Sequence, residues 1–169
     1  LTVCDTSFYD PGGAAANYTG TSSFTRTFTP ATAGKKLKFT VFNLGLGSSS
    51  VIRVYDGSTI SALQIGELSN ADNGNVIKSF TASNTAGELT IEFAGNATSG
   101  AGFLAGLTCE DPLQYRTVAN GNYNTIANWE SKTINAGSYT PATRIPNKGD
   151  DTVRILHTIT IAGQIPVDQ

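Results

Sequence analysis

The stretch GFLAGLTC, residues 102–109, carries the clearest strand signal in the chain. Phe103, Ala105, Leu107 and Cys109 stand at alternate positions, which is the period of a β-strand with one buried face. The pattern predicts a strand that brings its cysteine inward. Similar runs, bounded by turn residues, predict further strands at 24–28, 37–42, 51–55, 63–65, 76–80 and 88–93.

The spacing of these runs indicates the fold class. Pro30 and Gly34 favour a turn between the runs at 24–28 and 37–42, so we expect those two strands to pair. No segment of helical length has apolar residues at i, i+3 and i+4. Short strands with turns every 8 to 12 residues predict an all-β fold, an antiparallel β-sandwich followed by a small β-rich segment.

Composition excludes several classes of partner. The 169 residues are 39% hydrophobic and only 14% charged, with a net charge of -2. The basic residues are scattered, apart from a small cluster at 35–38, so we expect neither nucleic acid nor an anionic membrane surface as a partner. No apolar run approaches the roughly 20 residues that a membrane span needs. We therefore expect no membrane span.

The two cysteines bracket the first two thirds of the chain. A bond between Cys4 and Cys109 would close a loop of about 100 residues, which the chain-entropy model values at roughly 4.7 kcal/mol. The alternative is two buried free thiols in a cytosolic protein. We favour the disulfide, which predicts that the protein is secreted or located at the cell surface.

The opening loop FYDPGGAAANYTG, residues 8–20, contains one acid and three glycines without a hydrophobic period. An Asp followed by Pro and Gly usually accepts hydrogen bonds from its own turn, so we interpret the loop as a structural entry to the first strands. The alternative is a metal site built from Asp10, aided by Asp56 in a later turn.

Taken in order, these motifs resemble a CUB domain of the bacterial secreted type over about residues 4–110. The resemblance is carried by Cys4, the opening loop, a Phe-x-Arg-x-Phe strand, KLKFTVFNL, VIRVYDG, LTIEF and GAGFLAGLTC. Its most specific pieces are VYDG, residues 54–57, and the closing GF-x-A-x-x-x-C. The resemblance implies a β-sandwich that works outside the cell in binding and adhesion, usually as one module among several.

The character of the sequence changes at Glu110-Asp111-Pro112, which marks a linker. We therefore divide the chain into a sandwich, residues 1–110, and a small β-rich segment, residues 111–169. The second segment resembles the lead-in to the stacked β-solenoid repeats of large bacterial surface proteins, through the order of Trp129, Pro146, Asp151, Val153, Ile155 and His157–Ile161. Short strands are predicted at 153–155, 158–161 and 165–167. Because such repeats bury their faces against neighbours, we expect the segment to be truncated from a longer chain.

The chain offers no recognisable catalytic set, so we predict that it is not an enzyme and needs no cofactor. His157 is its single histidine and falls between two predicted strands, where a structural role is favoured over that of a general base. No nucleophile or metal-binding motif is present. Tyr123 and Trp129 are possible ligand-binding residues, since aromatic rings stack on sugars, although a lone Trp also suits a small core.

The leading interpretation is a non-enzymatic extracellular module for adhesion or structural assembly in a larger, multidomain bacterial surface protein. Its partners would be a cell-surface protein, a glycan or neighbouring copies of itself. The alternative is a carbohydrate-binding accessory module of a secreted hydrolase. A glycan-binding activity that depends on exposed aromatic residues would favour the alternative.

Calcium is expected to have no effect on stability. Many CUB domains bind Ca²⁺ through three acidic positions, which by resemblance correspond to Gly45, Ser50 and Gly95 in this chain. Since Ca²⁺ needs six to eight oxygen ligands with several carboxylates, we predict no metal site there. Millimolar Ca²⁺ at a micromolar site would add about 4 kcal/mol of stability. Thermal unfolding with calcium and with chelator should therefore coincide, whereas a rise reversed by chelation would contradict the prediction.

Overall fold

The computed structural model describes residues 1–74, 77–96, 98–133, 136–147, 149–150 and 152–161. The chain divides into two compact units, one formed by Leu1–Glu110 and one that begins at Asp111. Both units are built from β-strands, joined by turns and by two short 3-10 segments, Asn70–Asp72 and Ile126–Asn128. The all-β prediction is confirmed.

The first unit is a sandwich of two sheets. Its strands, in chain order, are β1 (Thr2–Val3), β2 (Thr6–Tyr9), β3 (Ser23–Pro30), β4 (Lys36–Gly45), β5 (Val51–Asp56), β6 (Leu63–Leu68), β7 (Lys78–Thr81), β8 (Leu89–Ala94) and β9 (Gly102–Glu110). One sheet has the order β1-β3-β8-β5-β6 and the other the order β2-β9-β4-β7. The strand pairs are antiparallel except for β1 with β3, which is parallel.

The two sheets bury their inner faces against each other in one hydrophobic core. In β8 the alternate residues Leu89, Ile91 and Phe93 are fully buried, as the sequence pattern predicts. The ring of Phe8 joins the layers, because its centroid lies 5.0 Å from that of Phe28 in one sheet and 5.6 Å from that of Phe103 in the other.

The expected pairing of the first two predicted strands is wrong. β3 pairs with β8, whereas β4 pairs with β9 and β7, so the two lie in opposite sheets. The turn between them crosses from one layer of the sandwich to the other. Alternation shows which face of a strand is buried, but it carries no information about which strand lies beside it.

Two other strand predictions need adjustment. The run predicted at 76–80 is observed as β7, Lys78–Thr81, and Val76 lies outside the described residues. β2 was missed, because the opening loop shows no alternation although Thr6–Tyr9 pairs antiparallel with β9. The rest of that loop leads to Tyr18, which is buried and whose hydroxyl accepts a hydrogen bond from Gly47 N at 2.7 Å.

The second unit has a mixed sheet and a small parallel pair. Its strands are β10 (Leu113–Thr117), β11 (Gly121–Asn122), β12 (Trp129–Thr133), β13 (Thr140–Pro141), β14 (Thr152–Arg154) and β15 (Ile159–Thr160). The sheet order is β13-β12-β10-β14, and β11 pairs with β15. The strands predicted at 153–155 and 158–161 overlap β14 and β15, and the strand predicted at 165–167 lies outside the described residues.

Both parallel pairs of this unit share one register. Gln114 in β10 faces Thr152 in β14, and Asn122 in β11 faces Thr160 in β15, so the partner lies 38 residues further along the chain in both pairs. Side chains maintain the register between the strands, since Asn120 Oδ1 accepts a hydrogen bond from Thr158 N at 2.8 Å. Residues 113–122 and residues 152–160 therefore run parallel to each other, each with a bend between its two strands, and are called the two layers of the second unit below.

The predicted disulfide between Cys4 and Cys109 is present. Cys4 lies where the chain passes from β1 in one sheet to β2 in the other, and Cys109 lies near the end of β9. The bond spans 105 residues of sequence. It therefore closes a loop containing nearly the whole sandwich.

The VYDG motif supplies a second connection between the sheets. Asp56, at the end of β5, accepts hydrogen bonds from Ser83 N at 2.9 Å and from Asn84 Nδ2 at 2.7 Å, and also from the Ser83 hydroxyl. Burial alone would raise the pKa of Asp56, but these hydrogen bonds outweigh it and lower the pKa below its ordinary value. The following Gly57 has a φ of 156°.

Reduction of the disulfide should destabilise the first unit. Since the bond closes a loop of about 100 residues, the loss in unfolding free energy should approach 4.7 kcal/mol. Denaturant unfolding with and without reductant measures it, and the Cys4→Ser/Cys109→Ser double variant should match the reduced protein and ignore the reductant. An unchanged midpoint on reduction, or two free thiols in non-reducing mass spectrometry, would contradict this prediction.

Replacement of Asp56 should remove a pH-dependent contribution to stability. A carboxyl whose pKa is lower in the folded state stabilises the fold above its unfolded pKa of about 3.9 and loses that effect as pH falls through the folded value. Asp56→Ala should therefore cost about 1–2 kcal/mol at pH 7, and less below about pH 3. Urea unfolding at both pH values tests this. A cost that is equal at both would show that the charge of Asp56 contributes nothing.

Candidate functional site

The opening loop of the sandwich lies between two clefts of the first unit. One cleft, of about 230 Å³, is lined by Asp10, Asn43, Gly45 and Leu104 among others. The second, of about 290 Å³, is lined by Tyr9, Asp10, Gly12, Ser23, Phe24 and Arg26 among others, and is called the Arg26 cleft below. Tyr9, Asp10 and Gly13 contribute to both clefts. This end of the sandwich is the candidate site.

Asp10 anchors the loop that separates the clefts. Its carboxylate is buried, with Oδ1 accepting a hydrogen bond from Gly12 N at 2.7 Å and Oδ2 accepting one from Phe103 N at 3.1 Å. At Gly102 a Cβ atom would lie 1.9 Å from Asp10 Oδ2, and the φ of 85° also favours glycine. Asp10 therefore fastens the loop to the start of β9, which is the structural role that its turn sequence suggests.

Asp10 and Asp56 lie at opposite ends of the sandwich. Asp10 binds the backbone next to Gly102, which pairs with Gly45 at the end of β4. Asp56 binds Asn84, whose carbonyl oxygen accepts a hydrogen bond from the Lys36 ammonium at the start of β4. A strand from residue 36 to residue 45 is about 30 Å long. The two carboxylates are too far apart to share one ion.

The remaining positions considered for a metal carry no charge. Ser50 is buried, and its hydroxyl accepts a hydrogen bond from Asn96 N at 3.2 Å. Gly95 N donates to Ser22 O at 2.8 Å. In the part of the chain that the structure describes, no three His, Cys, Asp or Glu side chains form a group that could hold a metal ion. The absence of a calcium effect stays a prediction.

Arg26 is the feature of this region that the sequence did not single out. It lies between Phe24 and Phe28 on β3, and its guanidinium carbon lies 5.2 Å from the ring centroid of Phe24 and 5.9 Å from that of Phe8. The residue is exposed at the edge of the sandwich. An arginine at an inward position of an alternating strand was the available signal.

Of the two predicted ligand residues in the second unit, Trp129 lies in its core and Tyr123 is half-buried against it. Trp129 is 1% exposed, its Nε1 donates to Tyr123 O at 2.9 Å, and its ring meets those of Tyr115 and Tyr123 edge to face. A buried indole offers no face to a sugar. Burial and the Asp150 charge raise the pKa of the Tyr123 phenol, which donates to Pro146 O at 2.9 Å. These contacts suit the interpretation of Trp129 as a core residue.

The His157 side chain contacts the hydroxyl of Thr117. Its Nδ1 lies 3.1 Å from the Thr117 hydroxyl, which also accepts hydrogen bonds from His157 N at 3.1 Å and Leu156 N at 2.8 Å. Thr117 is buried at the end of β10. These contacts thus hold the bend between β14 and β15 against Thr117, at the end of β10.

Comparisons with known proteins give the fold. No protein-family model and no curated protein matches the chain. Among solved structures, the CUB1-EGF-CUB2 domains of rat MASP-1 match with a TM-score of 0.53 and 13% identity, covering 66% of this chain and 42% of that one. No helix in the described residues is long and apolar enough to cross a membrane. The antiparallel sandwich predicted from the sequence is therefore CUB-like.

Proposed function

We propose that this chain is a non-enzymatic extracellular module for adhesion or structural assembly within a larger bacterial surface protein. The CUB-like fold is commonly a non-enzymatic module, and the disulfide is consistent with an oxidising compartment. The single observation that carries the assembly role is the parallel stacking in the second unit, with one register of 38 residues in both strand pairs.

The stacking supports assembly because, among residues 152–161, the described part of the last layer leaves strand edges unpaired. Within the part of the chain that the structure describes, β14 is an edge strand of its sheet and β15 pairs with β11 alone. Stacked parallel layers obtain their core from neighbours on both sides, so an end layer needs a cap or a further layer. An exposed strand edge also offers unpaired backbone N–H and C=O groups to another strand.

Residues 152–161 contain four exposed apolar side chains. Val153, Ile155, Leu156 and Ile161 are each 41% to 55% exposed, within ten residues of sequence. Apolar residues scattered singly on a surface need no explanation, but a clustered set at a strand edge indicates a contact surface. We infer that a further β-layer, from the parent protein or from a neighbouring copy, covers residues 152–161.

The alternative function is that of a carbohydrate-binding accessory module of a secreted hydrolase. The observation that favours it is the Arg26 cleft of the first unit, which combines the half-buried rings of Tyr9 and Phe24 with polar groups. Tyr123 and Trp129 give it little support, because one is half-buried and the other lies in the core.

Self-association should depend on the apolar layer at residues 152–161. We expect sedimentation equilibrium to show concentration-dependent association, which Ile155→Lys/Leu156→Lys abolishes because two charges cannot be buried in an apolar contact. Ile60→Lys, at an exposed apolar residue of the first unit, is the matched control and should leave association unchanged.

Hydrogen exchange over residues 152–161 completes this test. Where the edge is uncovered, its amides should exchange rapidly in dilute protein and become protected as the concentration rises. A strict monomer at every concentration, with strongly protected amides in these residues, would show that the second unit is self-sufficient. The assembly proposal would then fail.

A further inference from the structure

Arg26 occupies a position where the strand pattern calls for an apolar residue. Phe24 and Phe28 flank it on β3 and belong to or pack against the core, so the side chain of Arg26 starts on the same inner face. Its guanidinium emerges at the seam between the two sheets and covers the rings of Phe8 and Phe24. A charged group therefore closes the core at one wall of the Arg26 cleft.

Three of the four other arginines of the chain are paired with carboxylates, and the fourth, Arg154, is exposed on β14. Arg53 contacts Glu67 at 2.8 Å, Arg116 contacts Glu130 at 2.6 Å and Arg144 contacts Asp150 at 2.6 Å. Arg26 instead lies over aromatic rings, and among the described residues its guanidinium has no hydrogen-bond or ion-pair partner. Arg26 lines the cleft and is exposed to solvent.

The Arg26 guanidinium, which lies beside two rings and has no carboxylate partner among the described residues, can bind the carboxylate of a ligand. The guanidinium lies within cation–π range of both rings, 5.2 Å from the Phe24 centroid and 5.9 Å from the Phe8 centroid, and its N–H donors form the planar fork that matches two carboxylate oxygens. Such paired, charge-assisted bonds are among the stronger hydrogen bonds in proteins. Asp10 lines the same cleft, but its carboxylate is buried and both oxygens accept backbone N–H groups. The exposed charge of the cleft is that of Arg26.

The other walls suit a sugar ring. Tyr9 and Phe24 provide aromatic surface, on which the apolar face of a pyranose packs, and Ser23 adds a hydroxyl for its polar rim. The cleft volume of about 290 Å³ is just below the range of about 300 to 1,000 Å³ found for ligand pockets, so it suits one ring rather than a long chain.

We propose that the Arg26 cleft binds a carboxylate-bearing sugar, a hexuronic acid residue of a glycan. The carboxylate pairs with the Arg26 guanidinium, and the ring lies against Tyr9 and Phe24. This site is contained in the first unit, so it is independent of the assembly proposed for the second. An acidic peptide is the competing occupant, and the carboxylate side chain of free glutamate tests for it.

The test is a titration of the isotopically labelled 169-residue chain followed by two-dimensional NMR. D-galacturonate and D-glucuronate should shift the signals of Tyr9, Gly12, Gly13 and Phe24. Galactose and glucose, which lack the carboxylate, should bind at least tenfold more weakly, and so should acetate and glutamate, which lack the sugar ring. Equal affinity for glutamate or acetate would overturn the sugar assignment, and no shift with either uronate would overturn the site.

Substitutions of Arg26 distinguish the loss of its guanidinium from a loss of the folded structure. Arg26→Gln should weaken uronate binding at least tenfold, and Arg26→Lys, which keeps the charge without the planar fork, should weaken it several-fold. Lys78→Gln, which removes an exposed positive charge elsewhere in the first unit, should have no effect. Thermal unfolding of each variant shows whether it is folded. If Arg26→Gln does not fold, the uronate affinity of Arg26→Lys tests the proposal instead. Unchanged binding in folded Arg26→Gln would refute the proposal.

Discussion

The ring of Phe8 holds the two layers of the sandwich together. It lies on β2 in one sheet and meets Phe24 and Phe28 of the other sheet edge to face, while also contacting Phe39 and Phe103 of its own sheet. Edge-to-face aromatic pairs add about 0.5–1.5 kcal/mol each beyond the area they bury. The position of β2, and with it the loop that follows, depends on this cluster. The candidate site is built on that loop.

The two ends of the sandwich differ in how they are held. At the Lys36 end, the Cys4–Cys109 bond and the hydrogen bonds of Asp56 tie strands to neighbouring strands and loops. At the Gly45 end, the corresponding connection is the buried Asp10 carboxylate, which fastens a glycine-rich loop to β9. Loops on a rigid scaffold commonly carry binding functions. The cross-linked end thus supports a loop-built end that contains both clefts.

The second unit forms its core from few residues. Trp129, Tyr115 and Tyr123 make a compact aromatic centre, and the Arg144–Asp150 ion pair fastens a turn whose aspartate side chain is fully buried. A unit of this size can bury only part of its apolar surface. The exposed apolar residues at 152–161 are consistent with that limit and with the stacked register beneath them.

The amino-acid sequence by itself indicated most strands of the first unit, their inward faces and the disulfide partners, because period-two alternation and two cysteines are local signals that need no knowledge of neighbours. The same signals did not predict β2, β10 or β12. The sequence also indicated a structural role for Asp10, since an Asp-Pro-Gly turn defines its own hydrogen bonds. Strand partners, the separation of Asp10 from Asp56 and the position of the Arg26 guanidinium over Phe8 and Phe24 were decided only by the tertiary structure. Each depends on contacts between residues far apart in the chain, and alternation is the same whichever strand lies alongside.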